Sequence, residues 1–293
     1  VQRHFAGAEL LEEHHVDAIG VDRERRRQEL PAEIAAERVD EARQRLRHGS
    51  HGAVALEFDE RDQRHLQRLA QPAQPERSER TEQSAIIHGS DNRQSLLALY
   101  QYWRQQHPEA THAYWWVRSW NMLIWQPVYL SVIGVHSAGI AVSLAGFSQH
   151  CQQGVVAGFT LQPQRNDSQA TADAIQRSAA ELAAFYQDML AQLAQVITLR
   201  PVLARRLLAD SLLSALLLCY RQASLMTQPQ LLQWRQLWLD ALGIENAAPF
   251  YINTLTCQPA FIRRACCMHY LRADGDCCDN CPRRASQRRK HSE

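Results

Sequence analysis

The sequence predicts an α+β fold, predominantly helical, in which a small antiparallel sheet is followed by a helical bundle and a C-terminal cysteine-rich loop. Three observations carry this. Long stretches repeat apolar residues at helical spacing on both sides of a shorter region rich in β-branched residues with a period of two. All seven Trp, all eight Tyr and all eight Cys fall after residue 85. Five of the eight cysteines then crowd into the sixteen residues from Cys266 to Cys281.

Residues 1–85 contain 14 Arg, 18 Asp and Glu and 6 His, giving this stretch a net charge of −4 and the remainder +5. Ala53 to Phe58 is the one run in it that passes for a strand, and Ala32 to Leu46 can make a polar, charge-paired helix. Lacking the large side chains that dominate burial, residues 1–85 read as disordered or as an extension upstream of the true start, the chain opening on Val. The working domain is then 86–293, with 257–284 as its metal-binding segment.

From Gln94, Leu96, Leu97, Tyr100 and Trp103 mark a helix that stops at His107-Pro108. A second helix, placed with Pro108 in its first turn, carries Trp115, Trp116, Trp120 and Trp125 within eleven residues. These rings read as core, or with Arg118 as part of a pocket wall. After Pro127 the period changes, and Val128–Val135, Ile140–Phe147 and Val155–Leu161 are expected to form a three-stranded meander. His136, His150 and Cys151 would sit at its turns, as surface polar residues or as contacts to a metal or chelate. Asp167 or Ser168 is expected to cap a long helix through Ile175, Ala179, Leu182, Tyr186, Met189, Leu193 and Val196. Val202 to Arg221 reads as a central buried helix, with Cys219 as a small hydrophobe on it. Pro229 to Leu242 makes another helix, ending at Gly243.

The cysteine loop carries the chemistry. Cys266, Cys267, Cys278 and Cys281 form the pattern C-C-x10-C-x2-C, and Gly275 between Asp274 and Asp276 lets the chain turn back between the two pairs. Thiolates are soft ligands that suit zinc or an iron-sulfur cluster. Adjacent Cα atoms lie about 3.8 Å apart and their side chains diverge, which suits a two-metal centre at least as well as a single ion. Cys277 makes a second adjacent pair and is an alternative third ligand.

With the preceding Arg-Arg-Ala and the following Pro282, this pattern resembles the cluster-binding end of the FhuF-type ferric siderophore reductases. Trp120 to Pro127 and Leu130 to Val135 also resemble that family's central region, and the likeness runs from about Ser90 to Arg284. It implies a [2Fe-2S] cluster on Cys266, Cys267, Cys278 and Cys281, and one-electron reduction of a ferric siderophore, of hydroxamate type, to release ferrous iron. Arg263, Arg264, Arg272, Arg283 and Arg284 bracket the ligands and can tune the cluster or dock a partner; the last two equally read as the start of a solvated basic tail through Arg288, Arg289 and Lys290.

The chain has no G-x-G-x-x-G or G-x-x-x-x-G-K-[ST], so electrons must come from a separate donor such as a ferredoxin or a flavin reductase. A net charge of +1 speaks against nucleic acid as a partner. The first thirty residues have no apolar signal stretch and no apolar run is long enough to span a bilayer, so the protein is expected to be cytoplasmic, with peripheral membrane association left open. Reduced thiols there are read as ligands before disulfides. The competing readings are a zinc-binding interaction module and an iron-sulfur electron carrier or redox sensor.

Overall fold

A computed structural model describes residues 84–162, 164, 170–222 and 226–284. Among these residues the helices are α1 (Arg93–Gln106), α2 (His112–Ile133), α3 (Thr171–Val196), α4 (Pro201–Gln222) and α5 (Gln228–Ala241). Strands β1 (Ser84–Ile87), β2 (Ser148–Gln152) and β3 (Val155–Thr160) form an antiparallel sheet in that order, and β4 (Tyr251–Ile252) pairs with β5 (Pro259–Ala260) as a short antiparallel ribbon. The expected class is borne out: helices dominate, the sheet is small and antiparallel, and the cysteine segment comes last. Sequence expectations within residues 1–83, at Asp167 and Ser168, and in the tail beyond Arg284 lie outside the described residues.

Of the three strands that the period of two placed, Val155–Leu161 is found as β3, and the other two do not form. Val128 to Ile133 continues α2, and Gly134–Ala138 extends it as a π-helical turn ending at Gly139. Pro127 therefore sits inside a helix. Proline brings no N–H for the carbonyl four residues earlier, here that of Leu123, and the fold supplies another donor. Gln149 on β2 donates its Nε2 to the Leu123 carbonyl at 3.1 Å, while its Oε1 accepts from Gln126 Nε2 at 3.0 Å. Both glutamines are buried. The β-branched run was misleading because α2 is apolar on nearly every side, the mark of a helix enclosed by its neighbours rather than of a strand.

Ile140 to Phe147 likewise forms no strand. Three of its backbone N–H groups go to side chains instead of a ladder: Val142 to Ser178 Oγ at 3.0 Å, Ser143 to Gln164 Oε1 at 2.7 Å, and Leu144 to Glu181 Oε2 at 2.8 Å. The third strand of the sheet is β1, which pairs with β2 from Ser84 opposite Cys151 to Ile87 opposite Ser148. The sheet thus takes two residues, Ser84 and Ala85, from the stretch set apart on composition.

The helices follow their patterns closely. In α3 Ile175, Ala179, Leu182, Tyr186, Met189 and Leu193 are buried. α5 opens on a capping box in which the Thr227 side chain accepts from Gln230 N and the Gln230 side chain accepts from Thr227 N, and it closes at Gly243, whose φ of 61° needs glycine's freedom. At the first hairpin, α2 begins after Thr111, so Pro108 lies in the connection and not in the first turn.

The centre of the core is α2 packed on α4, with α1, α3 and α5 around them. Trp116, Trp120 and Trp125 are buried, and two of them tie elements together. Trp120 donates to the Ala204 carbonyl of α4 at 3.2 Å, and Trp125 to the Val156 carbonyl of β3 at 2.8 Å. Arg118 stacks its guanidinium 4.9 Å from the centre of the Trp103 ring. Among the described residues no helix is long and apolar enough to cross a membrane.

Candidate metal centre

Asp210 is a charged residue in the middle of the apolar helix α4, and it is 1% exposed. A buried carboxylate needs partners, and it finds them in the segment just before the first cysteine pair. Its Oδ1 accepts from the backbone N–H of Arg264 at 3.1 Å, its Oδ2 from that of Ala265 at 2.9 Å, and the Arg263 Nε lies 3.6 Å from Oδ2. Burial pushes the Asp210 carboxyl up, against the pull of Arg263 and the two N–H groups.

From this anchor the chain runs straight into the cysteines. Met268 adopts a left-handed conformation, φ 60°, and its N–H points back to the Cys266 Sγ at 3.4 Å. A 3-10 turn at His269–Leu271 follows, and then a turn in which Gly275 N–H meets the Arg272 carbonyl at 3.1 Å. At Gly275 the decisive property is size: a Cβ there would collide with the backbone carbonyl of His269. A second carboxylate from the body holds this far side of the loop. Glu109, in the α1–α2 connection, accepts the Ala273 N–H at 3.1 Å and lies 3.4 Å from His107 Nδ1. The return strand closes with Arg263 N–H donating to the Asn280 carbonyl at 3.0 Å, and Cys281 N–H to the Cys278 carbonyl at 3.1 Å.

The thiols gather as contacting pairs. Cys267 Sγ is 3.9 Å from Cys278 Sγ, the free thiols of Cys266 and Cys267 hydrogen-bond, and so do those of Cys277 and Cys281. Cys281 is buried, and the other four are half-buried. Cys267 is held well below the usual thiol range because Cys266 and Cys278 both donate to it and Arg263 faces it. The same bonds push Cys266 and Cys278 up, with burial adding to the effect, and burial together with Cys281 raises Cys277. Among the described residues no three or more His, Cys, Asp or Glu side chains are grouped as for a single metal ion.

Of the five arginines singled out from sequence, Arg263 touches the sulfurs. Its guanidinium hydrogen-bonds Cys278 and faces Cys267 as well as Asp210; these three outweigh its burial and hold its pKa above the ordinary arginine value. Arg272 pairs with Asp274, Nη2 to Oδ2 at 2.7 Å, and contacts His269. Arg283 lies 4.0 Å over the Tyr270 ring and donates to its hydroxyl, and Arg284 pairs with Asp279 at 3.2 Å; both are close enough to lower Cys277. Arg264 contributes its backbone N–H while its side chain is exposed.

Residues 263–283 match the family model of the FhuF 2Fe-2S C-terminal domain. This segment of the chain is thus similar to a FhuF-type [2Fe-2S] C-terminal domain. No solved structure matches the chain. The donor set fits such a cluster: the matched segment brings five buried or half-buried thiols, soft donors suited to iron-sulfur chemistry, with the positive Arg263 turned onto two of them. A redox role follows from the cofactor.

The remaining three cysteines lie outside the matched segment. Cys219 is buried in α4 with its thiol pushed up to about 12 by burial, Cys151 is buried in β2, and Cys257 is exposed in the β4–β5 turn. His136 is not the surface residue expected of a turn. It is largely enclosed between Trp234, 4.6 Å away centre to centre, and Trp238, whose Nε1 donates to His136 Nε2 at 2.9 Å, and burial lowers its pKa to about 4. Asp210 and Glu109 are the functional contacts that sequence reasoning missed. The signal for Asp210 was there: an acid inside an apolar helix demands a buried partner.

Proposed function

We propose that Cys266, Cys267, Cys278 and Cys281 hold the [2Fe-2S] cluster and that the protein is an oxidoreductase that reduces ferric siderophores. The observation that carries this reading is the gathering of thiols and a half-buried arginine within the segment that matches the FhuF 2Fe-2S C-terminal domain. When bound, the cluster supplies a single electron to the chelated iron. The rest of the task falls to the chain. Arg263 places positive charge beside the sulfurs and so favours the reduced state. Burial of Cys281 keeps water from one side of the donor set. The helical body, through Asp210 and Glu109, fixes the loop so that little rearrangement accompanies electron transfer.

The substrate is a ferric ion in a chelate of hydroxamate type, a hard cation held by hard oxygens. One electron converts it to the larger ferrous ion, which those oxygens hold weakly, and iron is released. The electron comes from a separate donor of the ferredoxin or flavin-reductase class, in the cytoplasm. Cys277, which hydrogen-bonds with Cys281, is the alternative third ligand.

The test is direct. The full chain, purified anaerobically and reduced with dithionite, is mixed with ferric hydroxamate, catecholate and carboxylate chelates in a stopped-flow instrument with a ferrous trap. Reoxidation of the protein with matching appearance of ferrous iron is expected for hydroxamates. Reoxidation by a redox protein and by none of the chelates would make the chain an electron carrier instead.

A further inference from the structure

The charge arrangement behind the cysteines points beyond ligand binding. Arg263 faces the Cys267 and Cys278 sulfurs and also Asp210, whose Oδ2 is 3.6 Å from Nε. Asp210 in turn is fixed by α4 and holds the two backbone N–H groups that follow Arg263. A salt bridge on the surface would be screened and of little consequence. Here the carboxylate is 1% exposed, so its charge is felt with little screening at the sulfurs beyond the arginine.

We propose that Asp210 is a positioning residue of the redox site: it holds the Arg263 guanidinium against the Cys267–Cys278 pair and offsets part of its charge, so the two residues set the reduction equilibrium with opposite sign. This rests on the ligand assignment above. On reduction the separate donor would be oxidised by one electron and a cluster held here would gain it, its formal charge with four thiolates going from −2 to −3. Positive charge at Arg263 favours that gain and negative charge at Asp210 opposes it. Arg263 lies in contact and Asp210 behind it, so the arginine has the larger effect. Without Asp210 the body would lose its grip on the loop at the residues entering the first cysteine pair, and with it the fixed place of the arginine.

The experiment is potentiometry on the holoprotein, with iron, sulfide and visible spectrum measured for every variant. Arg263→Gln is expected to make reduction about tenfold less favourable, a fall of 59 mV for one electron. Asp210→Asn, which keeps the size and can still accept one N–H, is expected to make it about threefold more favourable. Arg263→Lys, which keeps the charge, is expected to stay within about twofold of the parent. A shift in Asp210→Asn of the same sign as in Arg263→Gln, or no shift in either, would overturn the proposal. A second check needs no cluster: in the metal-free full chain, Asp210→Ala is expected to speed amide exchange at Arg264 and Ala265, and unchanged exchange there would overturn the positioning role. If the parent lacks two irons and two sulfides per chain, the ligand assignment fails by its own measure, and the exchange result still decides whether Asp210 holds this segment.

Discussion

Gln149 is the residue on which the passage of α2 through Pro127 depends, and replacing it by Leu gives a strong test of the fold. The substitution removes the donor to the Leu123 carbonyl, 3.1 Å away, and the acceptor for Gln126 Nε2, 3.0 Å away. Gln149 and Gln126 are 0% and 2% exposed, so water cannot replace what is lost. Each buried polar group left without a partner costs about 1–3 kcal/mol, so two give roughly 2–6 kcal/mol. That is a large part of a domain's usual stability of about 5–15 kcal/mol. Urea unfolding followed by tryptophan fluorescence reads the change, since Trp120 and Trp125 flank the site on α2. A designed rescue sharpens the test: adding Pro127→Ala to Gln149→Leu returns an N–H to the Leu123 carbonyl and is expected to recover about 1 kcal/mol or more. A Gln149→Leu protein within about 0.5 kcal/mol of the parent, the ordinary range for neutral surface changes, would show that the proline is accommodated in some other way. So would a double variant no more stable than the single one.

Three further outcomes are expected. Serine at Cys266, Cys267, Cys278 or Cys281 abolishes or greatly reduces cluster content, while Cys277→Ser keeps it; iron and sulfide analysis checks this, and the reverse result at Cys277 and Cys278 moves the third ligand. Gly275→Ala, which drives a methyl group into the His269 carbonyl, lowers cluster content without changing urea unfolding of the body, and normal cluster content would mean the loop can shift at no cost. Removing residues 1–83 leaves solubility and cluster content near those of the full chain, whereas removing 1–92 does not. The longer cut takes away β1, the fully buried Ile86, and Asn92, whose side chain bonds the Ile87 N–H and carbonyl. Equal behaviour of the two truncations, judged by solubility and melting, would count against a structural role for β1.

The cysteine loop was legible because its donors lie within sixteen residues, so spacing alone puts them in reach of one another. The three long helices after residue 170 were legible for a similar local reason: each repeats its apolar face over many turns, and Thr227, Pro229 and Gly243 punctuate α5 with standard cap chemistry. The path from Val128 to Phe147 was not. A proline followed by β-branched residues reads as a strand unless one knows that Gln149 will fill the proline's missing bond, and that knowledge is tertiary. β1 was hidden by its polar surroundings, since a four-residue strand at a sheet edge carries too little pattern of its own. At the site, chemistry was readable and attachment was not. Nothing near Cys266 in the sequence announces that residue 210 holds Arg264 and Ala265, or that residue 109 holds Ala273.

These two attachments order events as the chain is made. Glu109 is synthesised 164 residues before Ala273, and Asp210 is 54 residues ahead of Arg264. At about 5–20 residues per second, the interval from Asp210 to Arg264 alone takes roughly 3–10 s, far longer than a helix needs to form. The body's two carboxylates are therefore waiting when five reactive thiols leave the ribosome. A nascent segment whose thiols are open to oxidation and to stray metal thus emerges after the partners that anchor it have been made.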